Sequence, residues 1–275
     1  MPDRGRDRRS PAGLVEAALG APPAEWTAEM LARLCEERGI RLVTLLHVGG
    51  DGLLKGLDFV PRDGRHLRAV LSSGERADGS SLFRDGGIRA GKSDVVLLPR
   101  PDRAFLDPFP GEPALAVLCG HRDRDGAPLA VSPDTVVRRA HARLREETGL
   151  DLHAHGEVEY FLGRLPGEDG VQGTSERGYH AVAPAVFGEP LRRRAMVMLA
   201  GMGAPLKYGH GEVGFAPPEE GDPLCWEQHE IELGLAPLPE AADAVLLAQW
   251  VLRRLAREEG MRVSFEPVLR AGHAG

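Results

Sequence analysis

The sequence predicts an α+β fold with two parts. A helical pattern near the start is followed by several short apolar segments that have the length of strands. Proline and glycine separate these segments, as they do in compact turns. After a polar turn at residues 123–128, a second series of helices and strands follows, and neither series contains an internal repeat.

Composition excludes several classes of protein. With 42% apolar and 27% charged residues, the chain has the composition of a soluble globular protein. The net charge of −7 argues against a nucleic-acid partner, which requires a basic surface. No apolar run approaches the roughly 20 residues of a membrane helix. The three cysteines are odd in number and far apart, which argues against disulfides and predicts a cytoplasmic location.

The first part begins with a tail at residues 1–25 that is rich in arginine, proline, alanine and glycine and is predicted to be disordered. A helix is predicted from residue 26, with Thr27 as its N-cap and Gly39 as its stop. Strands are then predicted at residues 40–46, 53–60, 94–99 and 114–119. This unit is expected to span residues 26–122.

The second part is expected to span residues 123–275. Its clearest helix is residues 133–148, with Ser132 as the N-cap, Pro133 at the first position and Gly149 at the end. The remaining elements are predicted as helices at 191–199 and 241–259 and strands at 156–162, 207–215, 229–235 and 261–265. Arg192, Arg193 and Arg194 are predicted to form an exposed helix face.

Acidic residues recur on three of these strands. Glu157 and Glu159 are two residues apart, so a strand places both on one face. Further acids lie at Glu212 and at Glu230 and Glu232. Carboxylate oxygens are the ligands that Mg²⁺ and Mn²⁺ prefer, and such ions commonly bridge proteins to phosphates. The acids therefore indicate either a divalent metal site or ordinary solvated strand faces, and spacing alone leaves both open.

Eight short motifs occur in the order found in one enzyme family. They are Asp78-Gly79-Ser80-Ser81, Ser93-Asp94 with Pro99, Asp125-Gly126-Ala127-Pro128 with Ser132-Pro133, Gly156-Glu157-Val158-Glu159-Tyr160-Phe161-Leu162, Gly178-Tyr179, His210-Gly211-Glu212-Val213, Gln228-His229-Glu230-Ile231 and Ala242-Asp243. Together they resemble glutamine synthetase, from about Thr27 to the last residue.

The resemblance implies a β-grasp-like N-terminal domain, then part of a catalytic domain with helices and a curved antiparallel sheet. The implied reaction is ATP-dependent ligation of glutamate, or a similar carboxylate, with ammonia or an amine through an acyl phosphate. The implied cofactor is Mg²⁺ or Mn²⁺, with ATP as co-substrate. Subunits of this family form rings with active sites between neighbours, so a homo-oligomer is expected.

The resemblance also implies roles for individual residues. Glu159, Glu212 and Glu230 match the ligands of one metal, and Glu157 matches a ligand of a second metal on the nucleotide side. His210 and Tyr179 match phosphate- and nucleotide-binding positions. Asp78 matches the acid that binds and deprotonates ammonium in a neighbouring subunit's site. Glu232 has no match and is predicted to be an ordinary strand acid.

The chain departs from the family pattern in several respects. Lys207 stands where the family has an acid on the nucleotide side, and the family's run of histidines is reduced to Tyr208-Gly209-His210-Gly211. Residues 271–275 resemble the start of a loop whose continuation, with a further metal ligand and phosphate-binding arginines, is not in this sequence. The expectation is a catalytic domain cut short that is inactive by itself. The alternative is a non-catalytic relative that assembles with or regulates a full-length synthetase.

Overall fold

The chain folds into two compact units. The computed structural model describes residues 13–84, 88, 93–109, 111–167 and 177–275. One unit contains the described residues up to Leu152 together with residues 201–203, and the other contains the described residues of 153–200 and 204–275.

The first unit has a five-stranded sheet in the order β2-β1-β5-β4-β3, in which β1 and β5 are parallel and the other pairs are antiparallel. Its elements are α1 Leu14–Leu19, a 3₁₀ turn Pro23–Glu25, α2 Ala28–Arg38, β1 Leu42–Val48, β2 Leu54–Phe59, α3 Gly64–Ser73, β3 Glu75–Asp78, α4 Gly79–Leu82, β4 Asp94–Leu106, β5 Ala114–Arg122 and α5 Pro133–Thr148. The core combines apolar side chains from α1, α2 and α3 with those of the sheet.

Several parts of this unit differ from the sequence expectation, among them β3 and α4, which were not predicted. Residues 13–25, assigned above to a disordered tail, contain α1 and the 3₁₀ turn, because Val15 is buried in the core. The rest of that tail, residues 1–12, lies outside the described residues. The helix α3 was not predicted. It begins after Asp63, whose carboxylate accepts a hydrogen bond from the His66 amide at 2.7 Å.

The helix α5 has the predicted bounds, but it packs with the first unit. Its Asp134 carboxylate lies 3.6 Å from the guanidinium of Arg100 in β4, and the helix contacts β5. The contacts therefore divide the chain after residue 152, whereas the sequence places a boundary after residue 122. The assignment of residues 123–275 to one catalytic domain stays a prediction.

The second unit has a four-stranded antiparallel sheet in the order β11-β7-β9-β8 and a short β10-β6 pair. Its elements are β6 His153–Ala154, β7 Glu157–Arg164, α6 Glu189–Gly201, β8 Leu206–Ala216, β9 Cys225–Leu233, β10 Ala236–Pro237, α7 Leu238–Glu258 and β11 Arg262–Ser264. The helix α7 buries the predicted stripe of Ala244, Leu247, Val251 and Leu255 and contacts β7 and β9. Among the described residues, no helix combines the length and the apolar character needed to cross a bilayer.

The first unit contains a buried pair of histidines, which should make the stability of the protein depend on pH. His121 Nε2 lies 3.1 Å from His47 Nδ1, and His121 Nδ1 lies 2.8 Å from the hydroxyl of Ser132. Ser132 is the N-cap residue of α5, as predicted, but its side chain makes no capping hydrogen bond. Burial lowers the pKa of each histidine to about 4.

In the unfolded chain the two histidines bind protons as the pH falls below about 6.5, whereas in the folded chain they stay neutral until about pH 4. The stability of the protein should therefore fall as the pH decreases from about 6.5 to 4. We expect a loss on the order of 1–3 kcal/mol for each histidine. Urea denaturation across this pH range measures the free energy of unfolding. This free energy should depend less on pH in His47→Gln than in the wild type. The matched substitution His66→Gln, at a partly exposed position in α3, should retain the fall in stability that the buried pair causes.

Candidate metal centre

Strand pairing in the second unit places acidic side chains in two adjacent rows on one face of the sheet. In the first row, Glu230 of β9 pairs with Glu159 of β7 and with His210 of β8. In the second row, Glu232 pairs with Glu157 and with Tyr208 in the same way. The predicted alternation of β7 is confirmed, because Val158 and Tyr160 are buried on the opposite face. Two rows across three strands thus collect four carboxylates.

The first cluster contains His210, Glu212 and Glu230, each of which offers one ligand atom within 4.8 Å of the others. His210 Nδ1 lies 3.2 Å from a carboxylate oxygen of Glu212, and His210 Nε2 lies 3.8 Å from one of Glu230. Glu212 reaches the site from β8 beside a register shift between Gly211 and Phe215. Two carboxylates and an imidazole form a donor set that suits a divalent cation.

The charges of this cluster are poorly compensated. The pKa of Glu230 is raised to about 7, chiefly by burial. Its acidic neighbours Glu157, Glu212 and Glu159 act in the same direction, whereas His210 opposes them. Like charges that lie close together in a desolvated site disfavour ionisation, and a bound cation reverses that effect. The residues of the first cluster therefore fit a divalent metal ion.

Glu159 lies beside this cluster without belonging to its closest group of atoms. Its carboxylate accepts a hydrogen bond from Gln228 Nε2 at 2.7 Å. Burial raises its pKa, and the charges of Glu212 and Glu157 add to that shift. The hydrogen bond orients one oxygen, which is a common way for a neighbouring amide to position a metal ligand.

The second cluster contains Glu157, Glu230 and Glu232, and Glu230 therefore belongs to both. Glu232 is only 1% exposed, so the interpretation of this residue as an ordinary strand acid is wrong. The ammonium of Lys207 lies 2.5 Å from Glu232 Oε1, and this hydrogen bond is the main cause of the lowered pKa of that carboxyl. The sequence signal for Glu232 was its spacing of two from Glu230, which is the same signal that Glu157 and Glu159 give.

Aromatic rings surround His210 on the side of the loop at residues 177–181. The Tyr179 ring centroid lies 5.3 Å from that of His210, and the His180 centroid lies 4.5 Å from it. Tyr179 and His180 are stacked with centroids 4.2 Å apart, and Tyr179 is exposed. The structure thus brings together His210 and Tyr179, which the sequence assigned to nucleotide and phosphate binding.

The two glycines that flank His210 are explained by close backbone contacts. A Cβ at Gly209 would lie 2.9 Å from the carbonyl oxygen of Glu230. A Cβ at Gly211 would lie 2.8 Å from the carbonyl oxygen of Gly178. Side chains at these positions would force the strand away from its neighbours, so glycine keeps His210 close to Glu230.

Asp78, the remaining candidate, belongs to the first unit. Its carboxylate accepts hydrogen bonds from the Ser80 amide at 3.0 Å and from the hydroxyls of Ser80 and Ser81 at 2.7 Å each. These bonds, the Ser81 hydroxyl first, hold the pKa of Asp78 well below its usual range. Asp78 is therefore a fixed, ionised carboxylate at the start of α4, and its role towards ammonium stays a prediction.

A buried polar network supports the central strand β9 from its other face. The carboxylate of Glu227 accepts hydrogen bonds from the amides of Phe187 and Gly188 and from His229 Nε2 at 2.7 Å. Arg192 donates to His229 Nδ1 at 2.7 Å, so the ring proton of His229 lies on Nε2 and faces Glu227. Arg192 is 5% exposed, which corrects the prediction that it belongs to an exposed helix face.

Comparisons with known proteins point to one enzyme family. A profile of the glutamine synthetase catalytic domain matches residues 130–275. Glutamine synthetase of Mycobacterium tuberculosis strain H37Rv is 30% identical over 253 residues, which cover 90% of this chain and 53% of that protein. Glutamine synthetase of Staphylococcus aureus strain N315 is 28% identical over 250 residues, with coverage of 90% and 52%. The chain thus spans about half the length of the curated relatives it matches.

Solved structures show the same fold. The electron cryomicroscopy structure of Plasmodium falciparum glutamine synthetase has a TM-score of 0.73 at 17% identity and covers 89% of this chain and 51% of its own. A structure described as a GmaS/ADP complex has a TM-score of 0.71 at 18% identity, with coverage of 89% and 53%. The mixed helices and curled sheet of this chain match those of glutamine synthetases.

Proposed function

The chain belongs to the glutamine synthetase family, and from that premise we propose that its acidic sheet face binds a divalent metal ion for ATP-dependent ligation. The proposed substrates are glutamate, or a similar carboxylate, and ammonia or an amine, which join through an acyl phosphate. The observation that carries this proposal is the first cluster. It gathers Glu212, Glu230 and His210 from two neighbouring strands in a site short of positive charge.

The residues of the chain have distinct proposed tasks. Glu212 and Glu230 hold Mg²⁺ or Mn²⁺, and Glu159 joins them as the third acid. When bound, the ion neutralises charge on transferring phosphate oxygens. His210 is a ligand or a neighbour of the phosphoryl group, and Tyr179 beside it offers an exposed ring for the nucleotide. Glu157 lies in the adjacent row, on the proposed nucleotide side.

Asp78 completes the proposed constellation from another subunit. Its carboxylate is ionised and fixed by serine hydroxyls, which suits the binding of ammonium. In this proposal the protein is a homo-oligomer with sites between subunits. The first unit is β-grasp-like, supported by its mixed five-stranded sheet with a parallel central pair.

The proposed location of the protein is the cytoplasm, and neither a nucleic acid nor a membrane is proposed as a partner. Cys35, Cys119 and Cys225 are free and buried, which suits a reducing compartment. The net charge of −7 disfavours contact with phosphate backbones.

One observation favours a second candidate function. Lys207 lies among the acids of the second row, where the family resemblance implies an acid on the nucleotide side. A lysine there supports a non-catalytic protein that keeps one metal site and assembles with or regulates a full-length synthetase. In that case, as expected from the sequence, the chain alone releases no ADP.

The experiment measures Mn²⁺ affinity by electron paramagnetic resonance and ADP release with glutamate and ammonia. We expect the wild type to bind Mn²⁺, and Glu212→Ala and Glu159→Ala to weaken that binding at least tenfold. The control Glu220→Ala, at an exposed acid of the β8–β9 connection, should bind as the wild type does. Unchanged affinity in both site variants contradicts the metal centre, and ADP release by the wild type contradicts the non-catalytic alternative.

A further inference from the structure

The second row of acids already contains a positive charge from the chain itself. Lys207 Nζ lies 2.5 Å from Glu232 Oε1, and the same nitrogen lies 4.9 Å from the centroid of the Tyr208 ring. An ammonium at these distances forms a charge-assisted hydrogen bond and a cation–π contact. Two neighbouring groups therefore hold the ammonium in place.

This ammonium is bonded to one of the carboxylate oxygens that line the second cluster. Glu232 belongs to the second cluster with Glu157 and Glu230, and each of these acids offers one carboxylate oxygen to it. The Oε1 atom of Glu232 is bonded to Lys207, and His155 Nε2 approaches the same oxygen at 3.4 Å. A divalent ion at this cluster, even one bound through Oε2, has to share a carboxylate that is 1% exposed with an ammonium that repels it.

The two rows differ in what balances their charge. Among the described residues, the first cluster has the imidazole of His210 as its nearest basic group, and the pKa of its Glu230 is raised. The second row has the ammonium of Lys207, whose hydrogen bond favours the ionised form of Glu232. The residues of the second row therefore do not fit a divalent ion while Lys207 keeps its place.

We propose that Lys207 is a built-in cation that occupies the second acidic cluster, so the chain takes up one divalent ion at the first cluster instead of two. This inference rests on the proposed metal centre. It also identifies the residue that sets metal stoichiometry, because removal of one ammonium leaves three acids without their counter-charge. Lysine is suited to the position since its compact charge on a flexible stem can replace a small cation.

The test counts the Mn²⁺ ions bound per chain in the wild type, Lys207→Met and Lys207→Glu. Methionine keeps much of the stem without its charge, and glutamate adds a carboxylate to the cluster. The matched control is Lys55→Met in the first unit, because Lys55 also pairs with a carboxylate, that of Asp51, at 2.7 Å. Thermal melts of the four proteins verify that each is folded.

We expect one ion in the wild type and in Lys55→Met, and two ions in both Lys207 variants. Two ions in the folded wild type, or one ion in both folded Lys207 variants, overturn the inference and leave the first metal centre intact. No ion in the wild type overturns the metal centre itself and the inference with it. The two failures are therefore distinguishable.

Discussion

Glu230→Gln should weaken Mn²⁺ binding by about a hundredfold or more, which is the largest effect of any single carboxylate on this sheet. Loss of an outer-shell partner already costs roughly 10–100-fold in metal affinity, and Glu230 is placed to be a direct ligand. It is also the acid that both clusters share. Isothermal titration calorimetry with Mn²⁺ measures this change directly.

The same substitution should stabilise the metal-free protein. The raised pKa of Glu230, about 7, means that ionising this carboxyl costs more free energy in the folded chain than in the unfolded chain. Stability is therefore lost as the pH rises from about 4.5 through 7, and glutamine removes this cost. We expect a gain on the order of 2 kcal/mol at pH 8 in the presence of chelator, and little change near pH 4.5.

Weaker Mn²⁺ binding together with higher stability of the metal-free protein distinguishes a metal ligand from an acid with a structural role. The control Glu220→Gln should change neither quantity, because Glu220 is exposed. A Glu230→Gln protein that binds Mn²⁺ as the wild type does, or that is less stable than the wild type at pH 8, argues against an uncompensated acid cluster.

Arg192→Ala should destabilise the protein by about 3–5 kcal/mol, the usual cost of breaking a buried charged network by removing one partner. The substitution leaves His229 Nδ1 without its donor and the carboxylate of Glu227 without its nearby positive charge. Both groups lie on β9 and are almost fully buried. Urea denaturation monitored by circular dichroism measures the loss.

Arg193→Ala is the matched control because it alters the next residue of the same helix. Arg193 is exposed and pairs with Glu189 four residues earlier at 3.3 Å, which is worth about 0.3–0.5 kcal/mol. Glu227→Gln should lie between the two, since it removes the charge and keeps one acceptor oxygen. Equal losses for Arg192→Ala and Arg193→Ala would show that the network contributes little to stability.

Local patterns in the sequence were sufficient to predict several elements of the structure. The helix α5 has the predicted bounds because Ser132, Pro133 and Gly149 mark its ends. Thr27 caps α2 as predicted, by accepting a hydrogen bond from the Met30 amide at 3.2 Å. The period of two placed Glu157 and Glu159 on one face of β7, and the order of motifs indicated the family that the profile confirms.

Other features depend on contacts between distant residues. The contact between Lys207 and Glu232 became visible only through the pairing of β8 with β9, since the two residues are far apart in the chain. Arg192 resembles its exposed neighbours in sequence, and only the fold buries it beside His229. The helix α3, by contrast, had a usable signal in Asp63 and in the spacing of Leu67, Val70 and Leu71.

The most direct test of the metal centre is the anomalous scattering of Mn²⁺ in crystals of the wild-type chain. We expect one peak between the carboxylates of Glu212 and Glu230 and the ring of His210, at about 2.0–2.6 Å from their ligand atoms. We expect no peak beside Lys207. A peak bound only by other residues, or none in crystals grown with saturating Mn²⁺, would contradict the proposed metal centre.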